Sequence, residues 1–200
     1  LISEPSRVNF FRKPTDNDGR KGQHESVTGK WEEALIRIFD FNPISLEVEP
    51  SDDEVKFIYR GKICPDGRFV GFDTILTYRI YGGGVILTEM YAEPYGKMPG
   101  NLPKIGFEFK LPDKYGNVEW FGRGINENYI DRKAGTPVGL YSLPVSCMSF
   151  EYDRPQENGN RCDNRFVNIT SDSGDGITVF GVDTFDFSIH DYSLQNLMKA

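Results

Sequence analysis

Three stretches of this 200-residue chain gather carboxylates, amides, arginines and aromatic rings more densely than turns require. In 14-PTDNDGRKGQHES-26, Asp16, Asn17 and Asp18 precede Gly19. Their oxygens can hold a hard cation or accept from a sugar hydroxyl, since both ligands seek oxygen. The run is not an EF-hand loop: Arg20 stands where an oxygen ligand belongs, and no Glu follows at the bidentate position. An Asx-turn closed by Gly19 uses the same residues without chemistry. In 120-WFGRGINENYIDRKAG-135, Trp120 and Phe121 lead into Gly122-Arg123-Gly124 and then Glu127, Asn128, Tyr129, Asp131 and Arg132. An aromatic face flanked by amides, carboxylates and guanidinium suits a pyranose, which offers an apolar C–H face and a rim of hydroxyls. A strand end braced by arginine–carboxylate pairs draws on the same set. The third stretch, 151-EYDRPQENGNRCDNRFV-167, places Glu157, Asn158, Asn160 and Arg161 between two strand-like segments. Glu157 and Arg161 can pair, and the two asparagines can bond nearby backbone and order the loop. A surface turn, a catalytic loop, a sugar-binding loop and a seam against another domain all remain open on these residues.

Several chemistries are excluded. No GxGxxG or GxxxxGK[ST] accompanies the glycines, which sets nucleotide binding aside. His24 and His190 are the only histidines, and no GxSxG marks an activated serine. In 185-FDFSIHDYS-193, His190 falls opposite in parity to Phe185, Phe187 and Ile189, which predicts a ring facing solvent. Cys64, Cys147 and Cys162 lack CxxC spacing and are odd in number, so neither a zinc site nor a disulfide framework is expected, and buried free thiols are. A net charge of −7 argues against a phosphate-binding face and hence against nucleic acid. No apolar run approaches the roughly 18 residues that a membrane span needs.

The elements that must hold these stretches are strands. With 21 Gly, 12 Pro and 14% aromatics, the composition suits short strands joined by tight turns. In 54-EVKFIYRGKI-63, Val55, Phe57, Tyr59 and Ile63 share one face while Glu54, Lys56, Arg60 and Lys62 take the other. The runs 72-FDTILTYRIY-81 and 85-VILTEMYA-92 flank Gly82-Gly83-Gly84, which predicts a hairpin. Alternation recurs at Ile105, Phe107, Phe109 and Leu111, and again at Phe185, Phe187 and Ile189. Only 28-TGKWEEALIRIFD-40 reads as helical, with Trp31, Ala34, Leu35 and Ile38 on one face. One all-β, predominantly antiparallel domain over residues 1–200 with one short helix is the expectation, and the opening Leu1 marks it as a piece of a longer polypeptide.

Taken together, 9-NFFRKPTDNDGR-20, 103-PKIGFEF-109, 119-EWFGRGINENYIDRKAGTPVGLYSLPV-145, 155-PQENGNRCDNR-165 and 185-FDFSIHDYSLQNLM-198 resemble, in order, the C-terminal, galactose-mutarotase-like domain of bacterial β-galactosidases of glycoside hydrolase family two. The resemblance covers nearly the whole chain. It implies an antiparallel β-supersandwich within a retaining hydrolase of terminal β-galactosides such as lactose. It also implies that the two glutamates of that chemistry belong to a TIM barrel outside these residues, so no catalytic residue is expected here. Asp16, Asn17, Asp18 and Gly19 match a mobile active-site loop, although a residue often found between the last Asp and Gly is missing. Trp120, Arg123, Glu127, Asn128, Tyr129, Glu157, Asn158, Asn160 and Arg161 become candidates for carbohydrate contact or for a domain interface. The family's sugar-stacking tryptophan lies past the equivalent of Ala200, and neither Trp31 nor Trp120 matches it. No metal or cofactor is expected in this stretch, with Mg or Na open to the parent enzyme. The implied partners are the substrate, the barrel and further copies of the parent, a homo-oligomer. A non-catalytic carbohydrate-binding module is the alternative. A free-standing aldose 1-epimerase ranks below it, because neither histidine sits in a matching motif.

Overall fold

A computed structural model describes residues 2–19 and 25–199. His24, Arg20 and the rest of the 20–24 stretch lie outside the described residues, as do Leu1 and Ala200. The fold is antiparallel and all-β, as the alternation predicts. It divides into two compact units, one of Arg7–Glu108 and one of Leu1–Ser6 with Phe109–Ala200. The strands β1 (Glu4–Asn9) and β6 (Gly106–Lys110) pair as a two-stranded sheet where the chain passes from one unit to the other.

The Arg7–Glu108 unit is built on a four-stranded meander of β2 (Asp40–Pro50), β3 (Glu54–Cys64), β4 (Val70–Tyr81) and β5 (Ile86–Gly96), in that order. The β4–β5 hairpin forms around the triple glycine. Ile80 pairs with Ile86, and Gly84 adopts φ 83°, which a residue with a Cβ resists. β3 departs from clean alternation. Ile63 is buried on one face, paired across to Phe72, whose ring stacks on Phe10 at 4.6 Å, but Ile58 is buried on the other. Both faces of this central strand therefore carry an apolar residue.

The helical reading needs correction. Helix α1 covers only Val27–Glu33, started by Ser26, whose Oγ accepts from the Gly29 amide at 3.0 Å. Leu35 then turns left-handed at φ 57°, and a separate 310 turn follows over Ile36–Ile38. That break rotates the face. Trp31 and Ala34 are buried as expected, but Ile36 replaces Ile38 inside, and Ile38 is exposed. The Trp31 indole donates to the Asn101 carbonyl at 3.1 Å. Burial of a side chain this large contributes roughly 2–3 kcal/mol, which anchors so short a helix.

The second unit centres on a sheet ordered β10 (Gly176–Phe187), β9 (Arg161–Thr170), β7 (Asn117–Arg123), β8 (Val138–Pro144). One face packs Trp120, Val118, Val167 and Ile169 with Tyr115 and Met148 into the unit's core. A terminal helix, α2 (Leu194–Lys199), adds to the one helix expected. Among the described residues no helix is long and apolar enough to cross a membrane.

Candidate functional site

The Asp16–Gly19 stretch forms a 310 turn over Asp16–Asp18, ending on Gly19 at φ 94°. Asp18 is the internal anchor. Its carboxylate accepts from the Thr15 amide at 2.7 Å and the Thr15 hydroxyl at 2.9 Å, and takes both ends of the Arg12 guanidinium at 2.7 and 3.1 Å. Burial draws the Asp18 pKa upward, but the Arg12 and Thr15 hydrogen bonds outweigh it and hold the carboxyl below the usual carboxylate range. Arg12 in turn lies 5.2 Å from the Trp31 ring centroid, and Thr28 Oγ1 donates to the carbonyls of Asp18 and Gly19 at 3.1 and 3.2 Å. Asp16 and Asn17 are left exposed on the outside of this braced turn. Among the described residues no group of three or more His, Cys, Asp or Glu side chains is arranged to hold a metal ion.

The second and third polar stretches converge in the other unit. Glu127 lies at their centre with its side chain only 8% exposed. Oε1 accepts from the Tyr152 hydroxyl and from Arg132, and Oε2 accepts from the Gly159 amide at 2.7 Å. Burial favours the protonated form of Glu127, yet these donors prevail, so its pKa falls below the usual value and it stays a carboxylate. Arg132 also donates to the Tyr152 hydroxyl at 2.9 Å and lies 5.0 Å from the Tyr129 ring centroid. Burial pushes the Tyr129 phenol well up, with the Glu127 charge adding to it.

The asparagines join the two loops. Asn128 is fully buried; its amide N–H donates to the Asn160 carbonyl at 2.8 Å, while Asn160 Nδ2 returns a bond to the Asn128 carbonyl at 2.9 Å. Asn128 Oδ1 accepts from the Cys162 amide at 2.8 Å. Asn158 accepts from the Phe150 amide at 3.1 Å and donates to Gln156 O at 3.0 Å and Tyr192 Oη at 2.9 Å. Each amide substitutes for a missing strand partner, which is how irregular backbone can be buried at all.

Arg161, 2% exposed, closes the arrangement. Its hydrogen bonds run to backbone: Arg161 donates to the carbonyls of Met148 at 2.6 Å, Gly159 at 2.7 Å and Ile125 at 3.3 Å. Burial pushes its pKa down, and the nearby Glu127 charge opposes that. The guanidinium also sits 5.6 Å from the Trp120 ring centroid, where the ring's quadrupole offsets part of the desolvation cost. Trp120 itself is 0% exposed, donates to the Arg123 carbonyl at 3.0 Å and packs against Tyr141 and Phe187, so it has no open ring face to present to a sugar. Arg123 bonds Asp163 and the carbonyls of Lys133 at 3.0 Å and Thr136 at 2.9 Å. Glu157 is buried as well.

Two further sequence expectations change. His190 is half-buried rather than solvent-facing, stacked on Tyr192 at 4.7 Å with Nδ1 2.9 Å from Ser149 Oγ. Of the three thiols only Cys162 is buried, its pKa raised to about 12 by burial and by Asp186, while Cys64 is partly exposed and Cys147 is exposed. Sequence reasoning also missed Tyr152, Tyr192 and Asn164. Asn164 is fully buried, donating to Arg161 O at 2.6 Å and Phe185 O at 2.8 Å. No local pattern marks such residues, because the bonds of Tyr152 to Glu127, Tyr192 to Asn158 and Asn164 to Phe185 span 25, 34 and 21 positions.

The densest polar cluster of this all-β chain is buried and bonded largely within itself, although Tyr129 Oη, Arg161 Nε and Asn164 Oδ1 find no hydrogen-bond partner among the described residues. The chain's family is shown by comparison: residues 1–200 match the family described as β-galactosidase small chain, and the chain belongs to it. It is 31% identical over 191 residues to the β-galactosidase of Kluyveromyces lactis, covering 94% of this chain and 18% of that protein. To the β-galactosidase of Priestia megaterium it is 32% identical over 193 residues, covering 96% and 18%. To that of Vibrio cholerae it is 30% identical over 205 residues, covering 100% and 19%. The chain thus spans under a fifth of the length of these relatives.

Proposed function

We propose that this chain is the part of a β-galactosidase that braces the mouth of the active site, while retaining hydrolysis of terminal β-D-galactosides is carried out by two glutamates on a barrel elsewhere in the parent. The observation that carries this reading is the saturation of Glu127. A general acid must hold a proton near neutral pH, and a nucleophile must have an oxygen free to attack. Glu127 does neither, since both oxygens accept hydrogen bonds and its pKa is held low. At the mouth, the turn would present Asp16 and Asn17 to substrate, with Asp18 and Arg12 fixing its shape. The carbohydrate-binding alternative loses Trp120 as a stacking platform, since that ring is buried.

Arg161→Ala in the full-length parent tests the supporting role. Removing a buried charge that holds three carbonyls should lower unfolding free energy by about 2–4 kcal/mol. Turnover per folded molecule should change by less than about tenfold. Wild-type melting with collapsed turnover would assign Arg161 to the chemistry instead.

A further inference from the structure

The β10–β9–β7–β8 sheet already has its core on one face, so its other face should read polar, as the solvated side of an antiparallel sheet does. It does not. Phe180 pairs with Phe166, Phe166 with Phe121, and Phe121 with Leu140, so one row across all four strands is apolar. The rings stand next to one another, with centroids 6.2 Å apart for Phe166 and Phe180 and 6.3 Å for Phe121 and Phe166. Phe180 is 71% exposed, Leu140 61%, Phe121 39% and the neighbouring Val138 42%. Beside the row, Asn168 donates to Glu119 at 3.1 Å and accepts from Thr178 at 2.6 Å. Arg165 lies 5.5 Å from the Phe121 centroid and is exposed.

We propose that this row is the seam on which another part of the parent β-galactosidase chain docks, through an apolar surface with a carboxylate opposite Arg165. The inference rests on the reading of this chain as one part of a longer enzyme. An aromatic and arginine centre inside a polar rim is the make-up of a protein interface. A sugar would need free donors and acceptors beside the rings, and here Glu119, Asn168 and Thr178 bond one another. More than four-fifths of each relative's length falls outside the matched stretch, which leaves ample chain to supply the cover. A second copy meeting this face about a two-fold axis would bring a second Arg165 to the same small patch, where the carboxylate beside the row, Glu119, is already bonded to Asn168.

Hydroxyl-radical footprinting of the full-length parent and of this chain alone tests the seam. Phe180 and Phe121 should be oxidised readily in the chain alone and lose most of that reactivity in the parent, with Trp120 protected in both. Phe180→Glu in the parent should restore oxidation of Phe121 while Trp120 stays protected, and Leu140→Glu should do the same. The loss of one interface anchor corresponds to roughly 30-fold weaker docking. Equal reactivity of Phe180 in parent and chain would overturn the seam, as would protection that arises in the chain alone on raising its concentration or only on adding lactose. Hydrolysis of a chromogenic galactoside by the same parent sample reports separately on the underlying reading.

Discussion

Glu127 illustrates how a residue that reads as chemistry in sequence becomes structure in space. A carboxylate close to tyrosines and arginines suits a glycosidase site, but its two oxygens accept from Tyr152, Arg132 and the Gly159 amide. Because the folded state lowers its pKa, Glu127 contributes stability that is fully present above the unfolded value near 4.3 and is lost as pH falls through the folded value. Glu127→Gln should therefore lower stability at neutral pH, by about 2–4 kcal/mol, and flatten the decline of stability below about pH 4. Urea unfolding of wild type and variant between neutral and acid pH checks this. An unchanged acid limb would show that Glu127 is not a stabilising carboxylate. The sequence disclosed the residue types of this cluster but not their partners, since Arg161 reaches backbone carbonyls that carry no side-chain signature.

At the scale of elements, what was legible was periodicity. The β4–β5 hairpin and the strands around it follow directly from alternation and the triple glycine. The helix was less so: its apolar spacing continues through Leu35, but the backbone turns left-handed there and exchanges Ile36 for Ile38 in the interior. Spacing reports which residues are apolar, while a single left-handed residue decides which way they face. The join between β7 and β9 shows a constraint hidden from sequence altogether. A Cβ at Gly122 would stand 2.0 Å from Asn164 Oδ1 and 2.8 Å from Asn164 Cα, and the asparagine, bonded to Arg161 and Phe185 carbonyls, cannot retreat. Gly122→Ala should destabilise by roughly 1–3 kcal/mol or more, measured as a lowered midpoint of thermal unfolding. A wild-type midpoint would mean that the two strands are not so closely opposed.

For the whole molecule, the ordered blocks of sequence pointed to a family that the full-length match then showed. The PQENGNR loop was the harder case. Its residues left a surface turn, a catalytic loop, a sugar-binding loop and a domain seam open; Glu157, Asn158 and Arg161 are buried, the latter two satisfying irregular backbone at Phe150 and Met148. On the proposed reading, the inward-turned Glu127 cluster and the outward apolar row fit this chain to support a larger enzyme. The direct test is hydrolysis of a chromogenic β-galactoside by the purified 200-residue chain beside its full-length parent at equal molarity. Turnover by the parent and none by the chain is the expected result; sustained turnover by the chain alone would place the catalytic groups within it and contradict the account.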